Sequence, residues 1–123
     1  MAKGRKQITP KRGEVYIVSF DPTLGSEIKK TRPALILQND IANRHSAVTI
    51  VAALSSQFTE PVYPTEVLLE PPEGGLEKRS VVLLNQVRTV DKQRLAAKLG
   101  TLKPETMGRV DRALEVSLGL VTI

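Results

Sequence analysis

The sequence predicts a mainly β fold: a small β-barrel with short helices and a C-terminal amphipathic helix. Two observations lead there. Short runs rich in Val, Ile, Leu and aromatic residues recur along the chain, and clusters of Pro, Gly, Asn and Asp separate them. That is the pattern of strands joined by turns. Beyond Pro104 the apolar residues fall instead at three- and four-residue steps, the period of a helix. The chain has 123 residues, 41% of them hydrophobic, which suits one domain with its own core.

Each element follows from its local chemistry. "EVYIVSF" (14–20) partly alternates and reads as a strand, and Asp21-Pro22 stops it before the turn "DPTLGS". "RPALILQ" (32–38) reads as a buried strand, with Pro33 tolerated at its start. "NDIANRHS" (39–46) is a loop or short helical turn, and "AVTIVAALS" (47–55) is a second buried strand. "SQFTEPVYPT" is a loop, "EVLLE" (66–70) a short strand, and "PPEGG" a turn. "SVVLLNQVRTV" (80–90) is a strand whose character changes at Asn85 and Gln86. Asp91 is placed to cap a short helix through "KQRLAAKL". Pro104 suits a first helical position, and Met107, Val110, Leu114 and Leu118 then mark one apolar face.

Charge is unevenly spread. Residues 1–12 carry Lys3, Arg5, Lys6, Lys11 and Arg12 and no acid; without them 13 basic residues face 13 acidic ones. The segment is expected to be a flexible basic arm, with 13–123 as the single domain. An arm that adds phosphate contacts is the sharper alternative. Any chemistry of the body must therefore come from where charges sit, not from bulk charge. No apolar run reaches the roughly 20 residues of a membrane span, and the N-terminus lacks the apolar core of a secretory signal. A cytoplasmic protein is the expectation.

Several chemistries find no residues here. The chain has no cysteine, so disulfides and thiolate metal sites are excluded. It has neither a P-loop nor a G-x-S-x-G elbow. His45 is its one histidine and reads as a surface residue, and Glu70 and Glu73 flank a turn and read as solvated. No metal or other cofactor is expected. What remains is a group of side chains at strand ends. Arg32 opens one buried strand, and Ser55 and Ser56 close the next. If those strands pair antiparallel, Arg32 and Ser55 share a rim, with Glu27, Lys29 and Lys30 in the loop above it. A guanidinium fork and a hydroxyl suit a phosphodiester. The plainer readings are an exposed ion pair of Arg32 with Glu27, a hydrogen bond that ends a strand at Ser55, and lysines that keep a hairpin soluble.

Four fragments in order, "RGEVYIVSFDPTLGSE", "RPALILQND", "VAALSSQ" and "LLNQVRTVDKQRL", closely resemble the MazF/PemK family, the toxins of type II toxin–antitoxin pairs. The resemblance runs from about Lys11 to the C-terminal helix. It implies an SH3-like barrel paired as a homodimer. It also implies a metal-independent, sequence-specific endoribonuclease for single-stranded RNA, mRNA included, that a MazE-like antitoxin inhibits. Carried over by position, the catalytic arginine of the R-P pair is Arg32, the catalytic hydroxyl is Ser55, and the glutamate of G-S-E is Glu27, a helper in proton transfer. On this reading Lys29, Lys30, Ser56, Gln57, Asn85 and Gln86 are expected RNA contacts, with a satisfied strand end an equal alternative for Asn85 and Gln86; Phe20 and Tyr63 are candidates for base stacking, with core packing favoured for Phe20. The chain departs from the family at two places. Serine replaces the usual threonine at 55, keeping the hydroxyl but losing the methyl that stiffens χ1. The loop also carries "IKK" where small residues are common. The rival reading is a toxin of the same barrel that poisons DNA gyrase without cutting; a non-catalytic SH3-like adaptor or RNA binder is a third.

Overall fold

The computed structural model describes residues 8–20 and 31–123. Its elements are β1 (Glu14–Ser19), β2 (Thr31–Ile36), α1 (Asp40–His45), β3 (Val48–Ser55), β4 (Glu66–Leu69), β5 (Ser80–Asp91), β6 (Leu95–Thr101) and α2 (Pro104–Ser117). Among the described residues the strands form one antiparallel sheet in the order β4-β5-β3-β2-β1-β6. The sheet curls so that both faces are covered. Val15, Leu35, Ala52, Leu54 and Val82 pack on one face with Val110 and Ala113 of α2. Val18, Ala34, Ile36, Val51, Val90 and Leu95 pack on the other, with Ile8 and Phe20 against them. Consecutive residues of β2 thus enter different cores, which is why its sequence is an unbroken apolar run.

The barrel expectation holds with one refinement. β4 and β6 lie at the two ends of the ladder and share no hydrogen bonds; a 3₁₀ turn at Glu73–Gly75 fills the seam. The fit is backbone against backbone. A Cβ on Gly75, whose φ is +74°, would lie 2.0 Å from the Leu99 carbonyl oxygen, and one on Gly100 would lie 2.6 Å from the Gly74 carbonyl carbon. Nothing larger than glycine fits this seam.

The region after Asp91 differs from expectation. Asp91 does cap, its Oδ1 accepting from Gln93 N at 2.8 Å, but only the 3₁₀ turn Lys92–Arg94. "LAAKLGT" is then strand β6, paired with β1. Leu, Ala and Lys favour helix locally, but the exposed edge of β1 needs hydrogen-bond partners, and that demand overrides propensity. α2 begins at Pro104 as expected. Its buried residues are Thr106, Val110 and Ala113, while Leu118 is the C-cap and is 61% exposed. Glu73 is half-buried, not solvated: it accepts from Lys103 N at 3.0 Å and so serves the N-terminus of α2.

The basic N-terminal segment is described only from Ile8, and its last residues belong to the fold. Gly13 N donates to Ile36 O at 2.9 Å. Arg12 donates from N to Asp40 Oδ1 and from Nε to Leu37 O, at 2.8 and 2.9 Å, and its Nη2 pairs with Asp111 of α2. The boundary expected at residue 12 therefore moves N-terminal of Arg12, because that side chain ties α1, the end of β2 and α2 together. Lys3, Arg5 and Lys6 lie outside the described residues.

A buried polar knot sits where β2 turns into β3. Asn43 of α1 is fully buried. Its Oδ1 accepts from Gln38 Nε2 at 2.9 Å and Thr49 Oγ1 at 2.8 Å, and its Nδ2 donates to Gln38 O at 2.9 Å. The buried ammonium of Lys92 donates to the Asn43 carbonyl. Both sides of the connection, and the end of β5, are fastened to one side chain or its backbone.

Two predictions follow from this packing. Gly75→Ala should lower unfolding free energy by at least about 2 kcal/mol, through positive φ and the clash with Leu99. Gly108→Ala, on α2 with nothing within 4 Å, should instead raise it by about 0.5–1 kcal/mol; urea denaturation of both variants checks the contrast. The second concerns acid. The Arg12 backbone N–H, aided by Asn43, Lys11 and Arg44, holds Asp40 below its ordinary 3.8. Burial opposes charge on Glu73, but the Thr106 hydroxyl, the Lys103 N–H, and the Lys103 and Arg109 charges outweigh it and hold Glu73 below 4.5. Carboxyls with depressed folded values stabilise fully above their unfolded values and lose that contribution as pH falls through the folded ones. Thermal unfolding should therefore shift down below about pH 4, and Glu73→Gln should make that decline shallower.

Candidate functional site

The first question is whether Arg32 and Ser55 meet. β2 and β3 pair antiparallel with Ala34 opposite Ala53. That register directs Arg32 and Ser55, each two residues further on, toward the same end of the sheet. The β2–β3 pairing stops at Ala34, next to Pro33, which has no N–H to give. Both residues are half-buried at the sheet's end. Among the described residues Arg32 has no carboxylate at ion-pair distance. Glu27, Lys29 and Lys30 lie outside the described residues.

The Ser55 hydroxyl is held locally. Gln57 N donates to its Oγ at 3.0 Å, and the hydroxyl donates to Gln57 O at 3.2 Å. The strand-ending hydrogen bond expected on the plainer reading is therefore present. It leaves the hydroxyl in place at the rim and gives it a fixed neighbour. Ser56 and Gln57 are exposed. Ser56 also lines a cleft of about 400 Å³ with apolar walls that include Pro33 and Leu54.

Asn85 and Gln86 reach this end through a bulge. β3 pairs with β5 as Ser55↔Val81 and Leu54↔Val82, then as Ala52↔Val87. Between those registers one residue of β3, Ala53, faces four of β5, Leu83 to Gln86. Such bulges bend a strand and re-aim its side chains. The two exposed amides lie in the irregular stretch of β5 opposite Ala53, two residues from Ser55.

Arg88 is a cation that the sequence reading passed over. Ile36 pairs with Val51 and Val51 with Arg88, so Arg88 projects from the same face as Arg32. Its guanidinium carbon stands 5.0 Å from the centre of the Phe20 ring. Phe20 is half-buried against the second core and stacks on this cation. The period-two alternation from Gln86 to Arg88 was the available signal. Tyr63 is 64% exposed in the loop before β4. His45 is exposed on α1, which follows the far end of β2 from Arg32. Among the described residues no three His, Asp or Glu side chains gather as a metal-ligand set.

The architecture is that of a small antiparallel β protein with a C-terminal helix. Arg32 and Ser55 lie toward the same end of two central antiparallel strands, and a guanidinium with a hydroxyl suits an anionic group. The family model for the PemK-like, MazF-like toxin of type II toxin–antitoxin systems matches residues 11–118, and the chain belongs to that family. It is 47% identical over 111 residues to Endoribonuclease EndoA of Bacillus subtilis, covering 90% of this chain and 96% of that one. It is 43% identical over 113 residues to Endoribonuclease MazF of Staphylococcus saprophyticus, covering 92% and 94%. A solved endoribonuclease in complex with its cognate antitoxin, from a mycobacterial species, superposes with a TM-score of 0.73 at 32% identity over 93% of this chain and 99% of that one.

Proposed function

We propose that this chain is a metal-independent, sequence-specific endoribonuclease of single-stranded RNA, mRNA included, acting in the cytoplasm as a homodimer and restrained by a MazE-like antitoxin. The observation that carries the reading is the antiparallel pairing of β2 with β3, which directs Arg32 and Ser55 toward the same end of the sheet. The endoribonuclease names of the relatives, and the antitoxin in the mycobacterial complex, support the same class.

The chemistry needs no ion, because RNA carries its own nucleophile. The ribose 2′-oxygen attacks the adjacent phosphorus, the P–O5′ bond breaks, and the 5′-oxygen leaves with a proton. The products are a 2′,3′-cyclic phosphate (a 3′-phosphate after hydrolysis) and a 5′-hydroxyl. Negative charge builds on the phosphoryl oxygens in the transition state. Arg32 offers a planar fork to the two non-bridging oxygens and Ser55 a further donor to one of them. Groups that bind this charge better than the ground state accelerate the step. A guanidinium of pKa above ~12 is a poor base, so Glu27 is assigned to help accept the 2′-proton or to orient Arg32. Lys29 and Lys30 contact neighbouring phosphates, Ser56 and Gln57 flank the path of the strand, and Asn85 and Gln86 offer amide donors and acceptors to base edges.

The protein, incubated in excess EDTA with a long single-stranded RNA and with DNA of the same sequence, should cut only the RNA, at discrete sites, leaving 5′-hydroxyl ends. Arg32→Ala and Ser55→Ala should each slow cleavage roughly 100- to 1000-fold without changing the thermal unfolding midpoint. Ends bearing 5′-phosphate, or full activity in Arg32→Ala, would sink the assignment. Neutralising Lys29 and Lys30 together should lower the slope of log affinity against log salt by about 1.4, from ~0.7 per phosphate contact on single strands; an unchanged slope removes both from the footprint.

A further inference from the structure

The loop that leaves Ser55 is fastened at one point. Arg79, just before β5, donates from Nε to both oxygens of Glu70 at 3.1 Å. Its Nη1 and Nη2 donate to the two oxygens of Glu60 at 3.3 and 3.2 Å. The guanidinium carbon also lies 5.7 Å from the centre of the Phe58 ring. One side chain thus joins the end of β4, the start of β5 and residues 58–60 of the loop.

Strand register explains why this matters at Ser55. Leu69 pairs with Ser80, so the next step brings Glu70 opposite Arg79. Ser55 pairs with Val81, two residues past Arg79, so the loop carrying Gln57 leaves β3 beside the start of β5. Gln57 is the residue whose N–H holds the Ser55 hydroxyl. Without Arg79, Glu60 and Glu70 are left as two like charges on facing segments, and their repulsion moves the loop outward. We propose that Arg79 is a positioning residue: by clamping Glu60 and Glu70 it holds the loop after Ser55 so that the Gln57 N–H fixes the Ser55 hydroxyl. The proposal rests on Ser55 as a donor to the phosphoryl group.

Two other roles for Arg79 predict different behaviour. A phosphate contact would need a cation open to RNA, but this guanidinium is matched by two carboxylates, and the trio carries a net negative charge. A folding role is small, since all three side chains are about half exposed or more and exposed ion pairs contribute little to stability.

The test uses the full chain and an RNA with one mapped cleavage site. Arg79→Met should lower kcat about 10- to 100-fold, the scale on which a remote change that misplaces a reacting group is felt. KM should stay within about twofold of the wild-type value, and the unfolding midpoint should hold. Amide hydrogen exchange at Gln57 should become faster. In a Ser55→Ala background Arg79→Met should add no further loss, because the two act as one unit. Unchanged kcat, a rise in KM with kcat intact, or losses that multiply in the double variant would each overturn the clamp. If Ser55→Ala alone keeps full activity, the Ser55 assignment fails; Gln57 exchange then decides separately whether Arg79 holds the loop, and unchanged exchange rejects it.

Discussion

The register between β2 and β3 is the constraint on which the rest depends, and the buried Asn43 side chain sets it. In a strand pair a slip of one residue sends every side chain to the opposite face. Here both faces of β2 are buried in different cores, so apolar pattern alone discriminates registers poorly: Ala34, Leu35 and Ile36 are all at 0% exposure. The polar knot removes that ambiguity. Asn43 bonds Gln38 just past the end of β2 and Thr49 at the start of β3, and Lys92 bonds the Asn43 carbonyl. A buried amide left unpaired costs about 1–3 kcal/mol, so any shifted pairing that breaks these bonds is penalised at several groups together. The knot lies at the closed end of the β2–β3 hairpin, and the candidate site lies at the open end.

What happens at the open end follows from the ladder running out. Pro33 cannot donate and the β2–β3 pairing stops at Ala34, while Arg32 stays paired with Val18 of β1 and Ser55 with Val81 of β5. A bulge in β5 brings Asn85 and Gln86 to the same end, and Arg88 reaches across to Phe20 from the same face as Arg32. The scaffold beneath is rigid in the places where it must be. Gly75 and Gly100 seal the seam with backbone contact, and Arg12 binds α1 and α2 to the end of β2.

Much of this was legible in the sequence because it is local. Runs such as "AVTIVAALS" have no helical period, and Pro104 with its following apolar steps marks α2. The antiparallel pairing of β2 with β3 was legible for a different reason: a short connection makes the two strands neighbours, and antiparallel neighbours bring start beside end. Features that rest on distant partners were not legible. "KQRLAAKL" reads as helix by propensity, and its part from Leu95 becomes strand only because β1 has an open edge. The register shift at Asn85 cannot be read from β5 alone, since it exists only against β3. Arg12 looks like part of a basic tail until Asp40 and Asp111 are seen to converge on it.

The serine at 55 can be understood in the same physical terms. A threonine at this place would have its χ1 restricted by the methyl group. Serine lacks that restriction, yet its oxygen accepts from the Gln57 N–H, and the loop carrying Gln57 is tied down through Arg79. Orientation that a methyl would supply from within the side chain is supplied here from the backbone two residues on. The two solutions differ in what they leave available. The Ser55 proton now points to Gln57 O, so on the proposed mechanism it must rotate toward the phosphoryl oxygen while the bond from Gln57 N stays in place. A donor that exchanges a neutral carbonyl for an oxygen gaining negative charge strengthens its hydrogen bond as the reaction proceeds. That difference between ground state and transition state is the part of binding that speeds the reaction.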